Sequence, residues 1–171
     1  MIRRKLPELF ASLAIESLVD IPCGDFHWMR LLVEQTGVGY RGFDIVPELI
    51  AENQRRYCNT TLQFDVLDIA KAVPPAADLI ICRHLLIHLP LQDAVACIRN
   101  FRRSGSKYLL VTNQPDCARN EEIVWTGAYR ALNLRLPPFR LNPIRTIPDP
   151  QDSNDQAELA LYRLAEIADL S

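Results

Sequence analysis

Along the first two thirds of the chain, short apolar runs alternate with stretches whose apolar residues recur at helical spacing. Ser17–Ile21 (SLVDI) reads as a strand running into a sharp turn at Pro22-Cys23-Gly24. Phe26 to about Thr36 reads as a helix, stopped by Gly37 and Gly39. Tyr40–Ile45 (YRGFDI) predicts a second strand. Pro47 then opens a helix, PELIAENQRRY, with Leu49, Ile50, Asn53 and Tyr57 on one side; the polar Asn53 breaks the stripe. Thr61–Val66 and Asp78–Cys82 predict the third and fourth strands. Leu91–Arg103 predicts a helix with Ala94, Val95, Ile98 and Phe101 on one face, and Lys107–Thr112 a fifth strand. The fourth and fifth runs are almost unbroken in apolar residues, as strands buried on both faces are. The pattern therefore predicts an α/β domain with a parallel sheet covered on both sides.

Beyond Thr112 the rhythm changes. Pro115, Pro137, Pro138, Pro143, Pro148 and Pro150 exclude long helices before Gln156. The segment from Gln114 to Pro143 is too long for a simple connection, and such loops are commonly lids or binding loops. DPQDSND reads as a polar turn. The charge and leucine content of AELALYRLAEI favour a helix, although so short a run fits a strand as well. At the other end, MIRRKLPELFASLAIES reads as an amphipathic helix, with Leu9, Leu13 and then Glu16 or Ser17 a helical turn apart. Pro7 and Glu8 break any signal-peptide core.

Composition narrows the class. A length of 171 residues suits one domain, divided here into an N-terminal helix (1–16), a core (17–112) and a C-terminal part (113–171). The net charge of −2 lacks the basic footprint of a dedicated nucleic-acid binder, so a nucleic-acid partner is disfavoured. Cys23, Cys58, Cys82, Cys97 and Cys117 are scattered, odd in number and never C-x-x-C, which fits a reducing compartment. No run approaches the ~20 apolar residues of a membrane span. The expectation is a soluble cytoplasmic protein.

The chemistry concentrates at strand ends. Gly24 falls where the first strand turns into a helix, a place where bare backbone can approach a ligand. Asp44, 20 residues on, ends the second strand and can accept hydrogen bonds from ribose hydroxyls. Asp65 ends the third. In open α/β sheets the ligand crevice lies outside these carboxyl ends, so one glycine and two acids in register point to a nucleoside ligand.

Asp20-Ile21-Pro22-Cys23-Gly24-Asp25-Phe26, followed by Asp44 and Asp65-Val66, resembles the class I S-adenosylmethionine-dependent methyltransferases. Their first motif, acidic-x-Gly-x-Gly-x-Gly, is matched at Asp20 and Gly24; Pro22 and Phe26 stand where glycines are usual. The resemblance covers roughly residues 17 to 112. It implies a Rossmann-like three-layer sandwich whose mostly parallel sheet ends in an antiparallel hairpin, making AELALYRLAEI a strand. It implies S-adenosylmethionine as cofactor, held by Asp20, Cys23, Gly24, Asp44 and Ile45, with Asp65 and Val66 at the adenine. DLIICRHLLIHLP is similar to the family's fourth strand and following loop, and GAYRALNLRLPPF looks like a lip over the acceptor.

Several residues carry two readings each. His88 sits after the fourth strand, next to where the family holds the methyl group, and can serve as base for a hydroxyl acceptor, or it packs against backbone. Arg83 can bind a cofactor or substrate carboxylate, or pair with a nearby acid. Tyr129, Arg130 and Asn133 offer polar groups on the lip, and an arginine there would suit an anionic acceptor such as a sugar acid; a surface ion pair is the alternative. His84 and His88 would share a face only in a helix, and no third metal ligand is evident. Trp28 and Trp125 read as packing residues, and Cys23 as a small residue in a tight turn. A small-molecule or glycan acceptor is expected. Two rivals stand beside this reading: an NAD-dependent oxidoreductase, since Asp44 suits that ribose too but Gly-x-Gly-x-x-Gly is missing, and a non-catalytic binding module.

Overall fold

Four consecutive buried residues, Leu79–Cys82, form strand β4 at the centre of a seven-stranded sheet. This computed structural model describes residues 2–150 and 156–170. Around β4 lie β1 (Ser17–Asp20), β2 (Gly39–Asp44), β3 (Leu62–Val66), β5 (Tyr108–Asn113), β6 (Arg145–Pro148) and β7 (Glu158–Arg163), in the order β3-β2-β1-β4-β5-β7-β6. The first five strands are parallel, and β7 runs antiparallel to both β5 and β6. Strand order reverses between β1 and β4, the switch point at which such sheets open a crevice.

Helices α1 (Ile2–Leu13), α2 (His27–Thr36) and α3 (Pro47–Tyr57) cover one face, where Leu6, Leu9, Phe10, Met29, Leu32 and Ile50 pack on Leu18, Tyr40, Ile81 and Leu110. The second face carries helix α4 (Leu91–Arg103), with Ala94, Cys97, Ile98 and Phe101 buried against Val19, Ile80, Leu109 and Val111. Little else helical is available there, since β3 reaches β4 through turns. The gap is filled by the irregular stretch around 132–141, whose Leu132, Leu134, Phe139 and Leu141 are buried in the same cluster. Part of the expected lip is therefore core. Its prolines exclude a helix, yet the segment still buries apolar side chains as a helix would.

AELALYRLAEI forms β7 and a short 3₁₀ turn, as the resemblance implied and against the bias of its composition. Both faces of β7 are buried: Leu159 and Leu161 join one cluster, Ala160 and Tyr162 the other. A strand apolar on both faces has no alternation to read. Pro148 lies on edge strand β6, where a missing N–H costs little. Of the polar turn expected over 149–155, residues 151–155 lie outside the described ones. Among the described residues no helix is long and apolar enough to cross a membrane.

At the amino-terminal end of the parallel strands Asp78 ties three strands together. Its carboxylate accepts the Glu16 and Ser17 N–H groups and the Ser17 hydroxyl, and pairs with the Lys107 ammonium at 2.7 Å. The lysine contact and these donors hold its pKa down to about 2.

Candidate cofactor and acceptor site

The turn after β1 is built by donors and acceptors that the neighbouring strands present. Cys23 N–H donates to the Phe43 carbonyl (2.8 Å), and Gly24 N–H to the Asp44 carboxylate (3.2 Å). The other Asp44 oxygen accepts the Val46 N–H (3.1 Å), so one carboxylate bridges the turns that follow β1 and β2. Asn53, buried on α3, donates to the Gly24 carbonyl at 2.7 Å. The residue that broke the apolar stripe of α3 is thus the one that holds the glycine turn. A polar residue on an otherwise apolar helix face was its only signal in the sequence.

Gly24 has φ +55°, and a Cβ built on it would meet nothing within 4 Å. The backbone needs glycine for its conformation, and the space over it is open. Gly42 is glycine for another reason: a Cβ there would lie 2.8 Å from the Phe64 ring and 2.9 Å from Cys23 and Tyr40. That bare strand position lets the turn settle against β2.

Phe26 does not stand over the turn as its place in the motif suggested. Its side chain is wholly buried on the α1–α3 face, 4.7 Å from the Tyr40 ring, 5.1 Å from Phe64 and 5.3 Å from Tyr57, measured between centroids. The departure from glycine fills the core and leaves the crevice clear. The Cys23 thiol is buried, and desolvation pushes its pKa far above the usual range, so it is no nucleophile.

Asp20 is buried at the end of β1. Tyr40 donates its hydroxyl to Oδ2 (2.8 Å), while Oδ1 has no partner among the described residues. Burial pushes its pKa up to about 7, against the opposing effects of the Tyr40 hydrogen bond and the Arg83 charge.

Beside the turn runs a narrow cleft of about 100 Å³. Ile21, Pro22, Asp44, Ile45, Asp68, Ile69, Leu85, Leu89 and Thr126 are among the residues that line it. Asp65 and Val66, expected here, instead lie exposed on edge strand β3. Because β3 runs as far as Val66, the first acid past its end is Asp68, which sequence reading passed over. The enclosed volume is below the ~300 Å³ at which small-molecule sites begin. A larger space of about 550 Å³, near Tyr162 and residues 163–170, lies at the opposite edge of the sheet, away from these groups.

The loop after β4 supplies the remaining groups. Arg83 makes a two-point ion pair with Asp149, which follows β6 (Nε–Oδ2 2.7 Å, Nη2–Oδ1 3.1 Å), and its guanidinium lies 5.1 Å over the Trp28 ring. Of its two readings, the nearby acid is the one observed. His84 has a left-handed backbone and lies toward Asp149, so it shares no helix face with His88. His88 ends the 3₁₀ turn Leu86–His88, its Nδ1 3.1 Å from the Ala128 carbonyl. A carbonyl only accepts, so Nδ1 carries the hydrogen and Nε2 the lone pair.

The lip is pinned to this turn. Gly127 N–H donates to the His88 carbonyl and Arg130 N–H to that of Ile87, while the buried Arg130 guanidinium donates to the carbonyls of Leu89 and Leu86. Arg130 is therefore an anchor, not the anion receptor expected. Asn133 is likewise buried, its amide donating to the Pro115 and Cys117 carbonyls and its oxygen accepting the Arg135 N–H. Of the three lip residues only Tyr129 is open, its hydroxyl accepting from Gln114 and its ring 6.1 Å from that of His88. Trp125, expected to pack, is 66% exposed.

No family model and no curated protein matches this sequence. Solved structures are similar in fold. Human N-acetylserotonin methyltransferase, in complex with SAM, matches 94% of this chain over 51% of its own, with TM-score 0.68 and 16% identity. Magnesium protoporphyrin IX methyltransferase from Synechocystis PCC 6803, with bound SAH, matches 68% of this chain over 56% of its own, with TM-score 0.55 and 20% identity. The chain has the Rossmann-like fold of these methyltransferases. It spans about half the length of each.

The Asp20 environment makes stability depend on pH. Between the ordinary carboxyl value of 3.8 and about 7, the folded chain keeps a proton that the unfolded chain has lost, so stability falls as pH rises through that window. Asp20→Asn cannot lose this proton. Urea unfolding at a series of pH values should show the variant gaining on the wild type from about pH 4 to about pH 8. Parallel profiles would remove the raised carboxyl from the account.

Proposed function

We propose that the chain binds S-adenosylmethionine across the Gly24 turn and transfers its methyl group to a hydroxyl of a small or glycan-type acceptor, with His88 as base. One observation carries the reading: open, bare backbone at Gly24 whose N–H is held by the Asp44 carboxylate, at the switch point of the sheet. The fold supports it, since the two similar proteins named above are methyltransferases.

The residues present suit the cofactor. Asp44 has lone pairs left for ribose hydroxyls after accepting two N–H groups. Ile45, Ile69 and Leu85 offer apolar surface for a base, with Asp68 beside them as a further acceptor. The buried Asp20 Oδ1, without a partner among the described residues, is left as an acceptor for a hydrogen-bond donor. When bound, the sulfonium supplies an electrophilic methyl carbon. The chain's own task is then to orient the acceptor, exclude water and take one proton. His88 is arranged for the last: the Ala128 carbonyl holds Nδ1–H, so Nε2 takes the acceptor's hydroxyl proton. That carbonyl belongs to the lip, so the segment that covers the acceptor also orients the base.

Two substitutions test the two halves. Asp44→Ala should weaken S-adenosylhomocysteine binding by about 1.5–3 kcal/mol, the range for hydrogen bonds to a charged group. Because Asp44 also bridges two turns, the variant should unfold at lower urea as well. An unchanged dissociation constant in calorimetry would take Asp44 out of the site. His88→Ala should keep that constant within about threefold, well under the tenfold of 1.4 kcal/mol. Transfer of labelled methyl to a hydroxyl acceptor should drop at least ~100-fold. A variant that melts early yet keeps its specific activity would reduce His88 to packing.

A further inference from the structure

The ionisable groups around the acceptor side of the site are nearly all committed. Arg130 is buried and donates to backbone carbonyls, and Arg83 is paired with Asp149 at two points. Arg119 lies 3.3 Å from Glu121, and the Glu122 carboxylate accepts the Leu91 and Ile123 N–H groups. Among the described residues the buried Arg130 and the mostly buried Arg83 are thus taken up by other partners and unavailable to a substrate carboxylate or phosphate, and Arg119 faces solvent in its exposed pair.

What the lip does present is apolar and aromatic. Val124 is 85% exposed, Trp125 66% and Tyr129 62%, beside Thr126, which lines the cleft. Exposure here does not come from a loose chain. The Ala128 N–H to Trp125 carbonyl bond closes a turn over 125–128, and the bonds of Gly127 and Arg130 to the 86–88 turn fix it. Gln114 holds the Tyr129 hydroxyl, so that ring is oriented next to His88. Large aromatic side chains kept in water on an anchored strap mark a contact surface.

We propose that Trp125 and Tyr129 form the acceptor subsite and that it takes a neutral, flat-faced ring bearing a hydroxyl, aromatic or pyranose, in preference to an anionic one. The proposal rests on the reading of the cleft as a methyl-transfer site. Trp125 contributes one stacking face, Tyr129 the other, and the acceptor hydroxyl lies toward His88.

The test uses the full chain and three probes: 2-naphthol, methyl β-D-glucopyranoside, and its charged counterpart methyl β-D-glucuronoside. Saturation-transfer NMR is run with S-adenosylhomocysteine present, and calorimetry measures S-adenosylhomocysteine separately on each protein. At least one neutral ring should bind, and the glucuronoside should bind more weakly than the glucoside. Trp125→Leu and Tyr129→Leu should each weaken the neutral ring about three- to tenfold, the range for a lost aromatic pair, with cofactor-product affinity unchanged. Trp125→Phe, which keeps a ring, should restore most of the binding. Whichever neutral ring binds better distinguishes an aromatic from a sugar acceptor. Binding of none of the three, equal or tighter binding of the glucuronoside, or indifference to both leucine variants would overturn the subsite. Ring binding without any S-adenosylhomocysteine binding would instead overturn the methyl-transfer reading and leave a ring-binding surface.

Discussion

The geometry of the candidate site depends on one carboxylate. Asp44 ends β2 and accepts one N–H from the turn after β1 and one from the turn after its own strand. Hydrogen bonds to a charged acceptor contribute about 1.5–3 kcal/mol where the group is shielded from water, and Asp44 is almost fully buried. The pair of bonds sets the separation of the two turns, and hence the width of the crevice between them. Gly42 lets Cys23 rest against β2 and Asn53 closes the turn from the helix side. Without the carboxylate the Gly24 N–H would lose the side-chain acceptor that joins this turn to β2.

A second constraint comes from the uncovered face of the sheet. With only α4 on that side, the chain after β5 must serve as a wall, and Leu132, Leu134 and Phe139 do so. The same segment begins as a strap over the site and is tied down by Arg130 and Asn133. Wall and strap are continuous, so the strap inherits the stiffness of the core. That explains how a segment without helix or strand can hold the His88 imidazole in one orientation.

Much of this architecture was legible in the residues. Helices α3 and α4 occupy the ranges that Pro47 and the apolar spacing of 91–103 predict, because capping and periodicity act within one element. Gly24 and Asp44 were legible as a pair through their spacing and their positions at strand ends. The misreadings share a cause: they turn on tertiary environment. Asp65 and Asp68 are both acids near the end of β3, and only the packing around them, Asp68 lining the cleft and Asp65 exposed, tells them apart. Phe26 looked like an obstacle because a motif records which residue stands at a position and not which way its side chain turns. Arg130 and Asn133 looked like ligand groups because nothing local reveals that backbone carbonyls absorb them. Trp125 looked like core because its size is usually buried.

Whether the Gly24–Asp44 turn pair holds S-adenosylmethionine is decided by calorimetric titration of the wild-type chain. S-adenosylhomocysteine and NAD are titrated in parallel. The account predicts one saturable site for S-adenosylhomocysteine and none for NAD at matched concentrations. Saturable binding of NAD with no heat from S-adenosylhomocysteine would contradict it, as would silence from both.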